Sequence, residues 1–298
     1  MDSGTTAGVE LVSNRYGKSR VRLMKVIRHP KHHELYDWNV QILLTGDFDA
    51  VHLSGDNSNV LPTDTMKNTV YSRARESSAT SPEHFAMELV QFLLERQAQV
   101  QSAEVTVQSS MWKRVTVDGK PHPSTFMHGS NEVQTTVVER ARVAQRSSGL
   151  GPFRVTSGLD HMLILKTTDS GFEGYMKDSL TTLQETSDRL LGTEVRASWR
   201  YLEPNASTDF GGLRQSIREA MLRTFAEHKS KSVQHTLYAM GESALQAVRE
   251  IDQIDLLLPN KHCLLVDLSR FGQDNPNQIF VPTDEPHGTI EASIRRKP

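Results

Sequence analysis

Near the end of the chain, the polar run Pro259-Asn-Lys-His262 interrupts an apolar stretch, Asp255–Ser269. The apolar residues on both sides predict one buried strand, which does not accommodate polar side chains without partners. A proline inside a strand indicates a bulge, and a bulge would turn Asn260 and His262, two positions apart, together into a cavity. A hairpin loop between two short strands explains the same residues, and spacing alone favours that interpretation.

A second group that could do chemistry is His29, His32 and His33 with Glu34, between two predicted strands. Imidazoles and a carboxylate at this spacing could hold a metal ion. Because the sequence nearby offers no matched partners, we interpret the group as a solvated loop.

The composition excludes several classes of protein. The chain has 298 residues, enough for a sizeable core and for about two domains. Its formal net charge of −2 gives no global field that would recruit nucleic acid or an anionic membrane. The single cysteine, Cys263, rules out an intrachain disulfide framework and any multi-cysteine metal site.

The ends of the chain lack targeting signals. Residues 1–13 are polar, without the apolar core of a signal peptide, and we expect them to form a flexible tail. No run approaches the ~18 apolar residues of a membrane span. The last residues, Arg296-Lys-Pro298, are not a Ser-Lys-Leu type of peroxisomal address. We therefore expect a cytoplasmic protein.

Periodicity predicts the same order of elements in both halves of the chain. The predicted strands are Lys18–Arg28, Tyr36–Asp47, Ala103–Val117, Glu132–Ala144, Phe153–Lys166, Glu194–Leu202, the 255–269 stretch and Gln278–Ile294. Helices are predicted from Thr63 or Asp64 as N-cap, from Ser81, and along the apolar stripes Leu213–Phe225 and Val233–Ile251.

Two ββααββ units follow, at residues 14–148 and 149–298, the second with an inserted segment near 172–192 that is helical in pattern at Leu180–Leu191. Repetition of a whole unit is stronger evidence than any single element. Each unit has helices on one face of a sheet and leaves the other face to be covered, so we expect ring-forming oligomerisation.

Several short motifs together resemble the urate oxidase (uricase) family and cover nearly all of the chain from about Asn14. They are Tyr16-Gly-Lys18, Asp56-Asn-Ser58 leading to Thr63–Thr69, Asp118–Pro123, Thr181–Arg189, Thr224–Glu227, Ser232-Val-Gln234 and Leu258–His262. The resemblance implies the tunnelling fold, an α+β architecture of two tandem ββααββ units. In that fold, antiparallel sheets of two subunits close into a barrel with helices on the outer face, and two barrels stack into a homotetramer.

The resemblance also implies a reaction: urate, oxygen and water give 5-hydroxyisourate and hydrogen peroxide in purine catabolism, with no metal and no organic cofactor. The sequence has no dinucleotide fingerprint and no P-loop, as this requires. Urate is then the electron source, so the protein has to supply a base relay, a planar clamp and an oxygen pocket.

By the resemblance, the base relay is Lys18, Thr63 and His262. A hydroxyl is a poor base alone, but hydrogen-bonded to a lysine amine that a neutral histidine backs, it can pass a proton onward. Taken singly, the three residues have ordinary explanations, as a solvated lysine, a helix cap and a loop histidine.

The clamp, also by the resemblance, is Arg189 and Gln234 with Phe172 stacked on the purine ring. Asn260, with Thr63, would hold oxygen or the water that replaces it. Taken singly, the three clamp residues read as a surface ion pair, a solvated helix residue and ordinary core.

Main-chain N–H groups complete the implied site. Thr63-Asp64 and Val233-Gln234 lie at predicted helix N-termini, which favour an anion such as urate. Lys18 and Thr63 belong to the first unit and the other residues to the second, and in the family the two sets meet across a subunit interface.

The sequence departs from the family's commoner pattern at Glu173, which follows Phe172 where an aromatic is frequent, and at Ser187, where a tryptophan is frequent. Both could alter packing around Arg189. Two alternatives stay open. One is a pterin or purine enzyme of the same fold, of the cyclohydrolase or aldolase kind, although the cyclohydrolase's His/Cys zinc set is not displayed. The other is an inactive purine-binding or assembly protein, against which the intact Lys18 and Thr63 argue.

Overall fold

The computed structural model describes residues 8–143 and 149–297. Within them the chain forms two compact units: the first reaches to Ser130 and adds Gln134–Ser157 and Glu203–Thr208, and the second holds Asn131–Val133, Gly158–Leu202 and the chain from Asp209 onward. The predicted tail at residues 1–7, the strand end at Ala144, the boundary residue 148 and Pro298 lie outside the described residues.

The first unit is an antiparallel sheet with three helices. In chain order it contains β1 (Tyr16–Arg28), β2 (His33–Gly46), α1 (Asp49–Leu53), α2 (Thr63–Glu76), α3 (Pro82–Arg96), β3 (Val100–Val117) and β4 (Lys120–Ala141), with the sheet order β1-β2-β3-β4. Every second residue of β2, from Trp38 to Leu44, is almost fully buried, as the alternation predicts. Trp38 stacks on Phe85 of α3, with ring centroids 4.8 Å apart, so α3 packs on this face.

The second unit repeats the order. It contains β5 (Arg154–Lys166), β6 (Leu191–Tyr201), α4 (Phe210–Glu227), α5 (Val233–Ala247), β7 (Ile251–Leu257), β8 (Asn260–Leu265), a short 3-10 turn (Ser269–Phe271), β9 (Phe280–Gly288) and β10 (Glu291–Arg295). The sheet order is β5-β6-β7-β10, and β8 pairs with β6 and β9. The ββααββ repeat is confirmed, with α1 as an unpredicted extra helix and the predicted closing strand divided into β9 and β10.

Side-chain caps explain where three of the helices begin. Ser81, Asp209 and Ser232 each accept a hydrogen bond from a backbone N–H in the first turn of α3, α4 and α5, which satisfies a donor that the helix leaves free. The start of α2 differs from the prediction: its N-cap is Pro62, without a side-chain cap, and Thr63 is the first helical residue. The Thr63 hydroxyl is therefore not used to cap the helix.

The predicted helix at Leu180–Leu191 is wrong. The segment between β5 and β6 has turns and isolated bridges, and Leu191 already begins β6. Asp178 accepts hydrogen bonds from the Leu180 N–H at 2.9 Å and the Thr181 hydroxyl at 3.0 Å. Such local bonds, together with β-branched threonines, compete with helix formation.

The interrupted stretch around Pro259 is one strand line and not a hairpin. Leu257 pairs with Arg196 of β6, and three residues later Asn260 pairs with Thr193. The antiparallel register against β6 is therefore the same on both sides of Pro259. The chain continues as one strand, which rules out the hairpin, but no bulge interrupts its pairing with β6. The register shift lies against β9, between Asn260 and His262. Among the described residues, no helix is both long and apolar enough to cross a membrane.

Candidate active site

Lys18 lies on β1 at an irregularity of the strand. Its pairing partner is Ile42, and the register shifts by one residue before Val21, where Arg20 has a positive φ of 58°. A bulge of this kind re-aims the neighbouring side chains. Gly17 brings the two backbones close: a Cβ at this position would lie 1.8 Å from the Ile42 carbonyl oxygen. Lys18 itself is half-buried.

Tyr16 fixes the start of β1 against the start of α2. Its hydroxyl donates to the Leu61 carbonyl oxygen at 3.2 Å and accepts from the Leu61 N–H at 2.8 Å. Its ring meets Phe48 edge-on, with centroids 4.7 Å apart. Leu61 is two residues before Thr63, so Tyr16 ties the strand that carries Lys18 to the helix that begins with Thr63.

The N-terminus of α2 is the second part of this arrangement. The first bond of the helix runs from the Met66 N–H to the Pro62 carbonyl oxygen at 3.2 Å, so the N–H groups of Thr63 and Asp64 have no intrahelical acceptor. The pKa of Asp64 is lowered, first by its hydrogen bond from Lys67 and also by the charge of Lys18. Lys18, Thr63 and Asp64 thus share one neighbourhood in the first unit.

In the second unit, the backbone carbonyl oxygens of Ser170 and Ser230 accept hydrogen bonds that position Phe172 and Arg189. The Arg189 N–H donates to the Ser170 carbonyl oxygen at 2.7 Å, and the Gly171 N–H donates to the Ser230 carbonyl oxygen at 2.9 Å. Phe172 forms an isolated bridge with Thr186. Phe172 and Arg189, on the two sides of the long loop between β5 and β6, are therefore held near the segment that leads into α5.

The Arg189 guanidinium lies over the Phe172 ring, with its central carbon 5.3 Å from the ring centroid. Its Nε is buried and has no hydrogen-bond partner among the described residues. Burial lowers the pKa of the Arg189 guanidinium, but arginine is so basic that the group stays charged at neutral pH. A buried donor without an acceptor is costly, so this arrangement is suited to a bound acceptor beside an aromatic face.

The N-terminus of α5 follows Ser230 directly. Its first bond joins the Thr236 N–H to the Ser232 carbonyl oxygen at 3.2 Å, which leaves the N–H groups of Val233 and Gln234 without intrahelical acceptors. The Val233 side chain is buried and that of Gln234 is exposed. Together with Arg189, this end of the helix offers charge and N–H donors to an anion.

Asn260 and His262 lie on β8, beside the first residues of β6. Asn260 pairs with Thr193 and with Gly288 of β9, and His262 pairs with Thr283. Both side chains are half-buried and lie on the same face of the strand, as their spacing predicts. Lys261 is on the opposite face, with its Nζ 3.8 Å from a Glu194 carboxylate oxygen.

Sequence reasoning missed three residues of this arrangement. Tyr16 has a role through its hydroxyl. Tyr175 stacks on Phe172, with centroids 4.8 Å apart and an interplanar angle of 13°. Asp188 accepts from the Thr168 hydroxyl at 2.9 Å, a bond that is the first cause of its lowered pKa. Tyr16 lies within the motif Tyr16-Gly-Lys18 and Asp188 within Thr181–Arg189, so these motifs could have indicated both residues.

The residues of the second unit thus form a loop-and-helix group, Phe172, Arg189, Val233 and Gln234, and a strand group, Asn260 and His262. Lys18, Thr63 and Asp64 form the group of the first unit. The two departures from the family pattern, Glu173 and Ser187, are both exposed.

Comparison with solved structures identifies the fold. The crystal structure of uricase from Arthrobacter globiformis superposes with a TM-score of 0.87 at 41% identity, covering 97% of this chain and 96% of that one. The crystal structure of a uricase from Bacillus fastidious gives a TM-score of 0.82 at 23% identity, covering 95% and 94%, and that likeness concerns the fold alone. The two α+β units are those of a tunnelling-fold protein.

Comparison of sequences identifies the family. The profile of the family described as Uricase matches residues 14–139 and 155–291. The uricase of Arthrobacter globiformis is 41% identical over 296 residues, 99% of this chain and 93% of the relative. The uricase of Dictyostelium discoideum is 37% identical over 289 residues, 96% and 97% of the two chains. The chain belongs to the uricase family, the urate oxidases, which are oxidoreductases.

Proposed function

We propose that this chain is a cofactor-independent urate oxidase. Urate, oxygen and water give 5-hydroxyisourate and hydrogen peroxide. Urate loses two electrons to oxygen, and the oxygen atom of water enters the purine. The reduced oxygen takes up two protons and leaves as hydrogen peroxide. Family membership supports the reaction class. The observation that carries the proposal is the buried, unpartnered Nε of Arg189, whose guanidinium lies over Phe172, beside the open N-terminus of α5.

In this proposal, Phe172, Arg189 and Gln234 form the urate clamp. Urate stacks on Phe172, while the guanidinium fork and the Gln234 amide bind the oxygen and nitrogen edges of the purine. The Val233 N–H adds a donor from the helix N-terminus. These contacts orient a planar anion and exclude water from one of its faces.

The proton relay of the proposal is Thr63, Lys18 and His262. The Thr63 hydroxyl is free of the capping role, and the Tyr16 bridge to Leu61 supports its position relative to Lys18. Thr63 would take the substrate proton and pass it to the lysine, with His262 behind it. Asn260 and Thr63 would hold oxygen over the ring, and the Asp64 N–H would contact the substrate.

The relay of one subunit would meet the clamp of another, so that the working enzyme is a homotetramer built from dimers and the monomer is inactive. This part rests on the family resemblance, whereas the proposed cytoplasmic location rests on the sequence features alone. The shared site can be tested directly, because a site formed by two subunits can be rebuilt from two different inactive chains.

The reaction is tested by following the loss of urate absorbance in aerated buffer that contains a chelator and no added cofactor, with peroxide assayed in parallel. Thr63→Ala and Lys18→Met should each lower kcat by roughly 10²–10⁴-fold. Thr69→Ala is the matched control, since this hydroxyl donates to the Thr65 carbonyl oxygen in the same helix. If urate binds to the wild type unchanged, the chain is a purine-binding protein and the proposal is wrong.

The shared site is tested by mixing Lys18→Met chains with Arg189→Gln chains under conditions that exchange subunits. Random 1:1 mixing makes half of the dimers mixed, and each mixed dimer has one intact site of two, so about a quarter of wild-type activity should return. Mixed dimers verified by mass spectrometry that stay inactive would place each site within one subunit.

A further inference from the structure

The loop between β1 and β2 brings together three side chains that the proposed reaction does not use. His29 follows the last residue of β1, His32 precedes β2, and Glu34 is the second residue of β2. The His29 N–H donates to the His32 carbonyl oxygen at 2.9 Å, which closes the four-residue loop at its ends. Pro30 lies inside the loop and fixes a further backbone angle.

The ligand atoms of these side chains converge. One ring nitrogen of each histidine and one oxygen of Glu34 all lie within 4.8 Å of one another. His29 Nε2 is 2.6 Å from Glu34 Oε1, and His32 Nε2 is 3.9 Å from the same oxygen. The two imidazole rings are stacked, with centroids 4.7 Å apart and an interplanar angle of 25°.

We propose that His29, His32 and Glu34 form a binding site for a borderline divalent transition metal, Zn²⁺ or Cu²⁺. Bonds of about 2.0–2.2 Å to nitrogen and oxygen require neighbouring ligand atoms about 3.0–3.5 Å apart. The 2.6 Å distance has to open and the 3.9 Å distance has to close, each by less than 1 Å. The two histidine nitrogens, up to 4.8 Å apart, have to approach each other by up to about 1.3–1.8 Å to reach this ligand spacing. Rotation of the half-exposed side chains supplies this movement without a change in the loop.

The chemistry of the donors selects this class of metal. Two imidazoles and a carboxylate suit Zn²⁺ and Cu²⁺, whereas Ca²⁺ and Mg²⁺ prefer oxygen ligands alone. Tyr36 is two residues along β2, on the same face as Glu34, and its hydroxyl donates to Glu34 Oε2. Such a hydrogen bond from a neighbouring group orients a ligating carboxylate and leaves Oε1 directed at the histidines.

The sequence favours a solvated loop for these residues because nothing in it shows that the chain closes between His29 and His32. Spacing alone also does not separate His33 from its neighbours. In the structure His33 is adjacent to Glu34 on β2, and adjacent strand residues lie on opposite faces. His33 is outside the cluster and is therefore the matched control within the same loop.

The test uses the untagged full-length protein, stripped with a chelator and dialysed, and titrated with Zn²⁺ by calorimetry. The wild type should bind one equivalent per chain more tightly than the background of its other histidines, and Zn²⁺ should raise its Tm. His32→Ala should weaken this event at least about tenfold, since even indirect partners of a metal ligand are worth 10–100-fold. His33→Ala should leave the affinity and the Tm shift unchanged.

Cu²⁺ provides a second measurement that does not depend on stability. Its electron paramagnetic resonance spectrum should show nitrogen ligation in the wild type and in His33→Ala, and should lose one nitrogen in His32→Ala. Equal zinc binding by wild type and His32→Ala, or an equal loss in both variants, would overturn the proposal. So would a copper spectrum that His32→Ala leaves unchanged.

Discussion

Replacement of Tyr16 by phenylalanine isolates the contact that ties β1 to α2. The variant keeps the ring, and therefore the edge-on contact with Phe48 at 4.7 Å. It removes only the hydroxyl, which makes two hydrogen bonds to the backbone of Leu61. Burial raises the pKa of the Tyr16 hydroxyl, so the group is a neutral donor and acceptor at the pH of the assay.

The expected loss of stability follows from these two bonds. A neutral hydrogen bond contributes about 0.5–1.5 kcal/mol net, and a buried group left without a partner costs about 1–3 kcal/mol. The Leu61 N–H and carbonyl are half-buried, so some of that cost is recovered through water. We expect Tyr16→Phe to lower the free energy of unfolding by about 1–3 kcal/mol.

The same change should reduce turnover. If Thr63 and Lys18 exchange a proton, the loss of the tie lets the start of α2 shift relative to β1, and a misplacement of about 1 Å can cost 10²-fold in rate. We expect kcat to fall at least about tenfold in the urate assay, at a temperature where the variant is fully folded by circular dichroism. Urea unfolding measures the stability change.

Tyr71→Phe is the control for the hydroxyl. Its oxygen lies 3.5 Å from the Arg22 carbonyl oxygen, at an exposed position on α2, and surface changes of this kind usually stay within about 0.5 kcal/mol. The reasoning is refuted if Tyr16→Phe has the stability and kcat of the wild type. A loss of stability with unchanged kcat would show that the tie holds the fold without positioning Thr63.

Three further changes test other parts of the molecule. Gly17→Ala should cost about 3 kcal/mol or more in urea unfolding, because its Cβ would lie 1.8 Å from the Ile42 carbonyl oxygen; Gly149→Ala, with nothing within 4 Å, is the control. Arg189→Lys keeps the charge and loses the planar fork, so urate binding measured by competition with a non-oxidised purine should weaken by about 1.5–3 kcal/mol, and equal affinity would exclude Arg189 from the clamp. Burial first, and then neighbouring positive charges, lower the pKa of His228. The folded protein therefore binds a proton at this residue less readily than the unfolded chain does. The neutral side chain contributes to stability above its ordinary pKa of about 6.5, and this contribution is lost as the pH falls below that value. His228→Gln should therefore flatten the fall in urea midpoint from pH 7 to 5, and identical slopes would contradict the assignment.

The sequence predicted those parts of the fold that depend on regular burial. The alternation along β2 and the apolar stripe of α5 correspond to side chains that are buried in the structure. The serine cap of α3 was also visible, because a capping residue and the helix it starts are adjacent in the chain. Local and periodic signals of this kind need no knowledge of the rest of the molecule.

The interrupted strand at Pro259 was a harder case, because its two interpretations use the same residues. Whether the chain continues or turns back depends on its neighbour, and β6 supplies the answer through one unbroken register. The Leu258 N–H, which precedes the proline, donates to the Ile290 carbonyl oxygen at 2.7 Å. The pairing with partners more than 30 residues away in either direction decides the outcome, and periodicity does not contain it.

The segment between β5 and β6 shows why a wrong local structure can accompany a correct choice of residues. The helical pattern at Leu180–Leu191 would have placed Arg189 on a regular surface with a solvated guanidinium. In the structure, backbone hydrogen bonds accepted by the Ser170 and Ser230 carbonyl oxygens hold Arg189 beside Phe172, with its Nε buried. The position of the guanidinium thus comes from main-chain contacts between distant segments. Those contacts have no side-chain signature, so family resemblance could indicate the arginine while no rule of periodicity could indicate the loop that carries it.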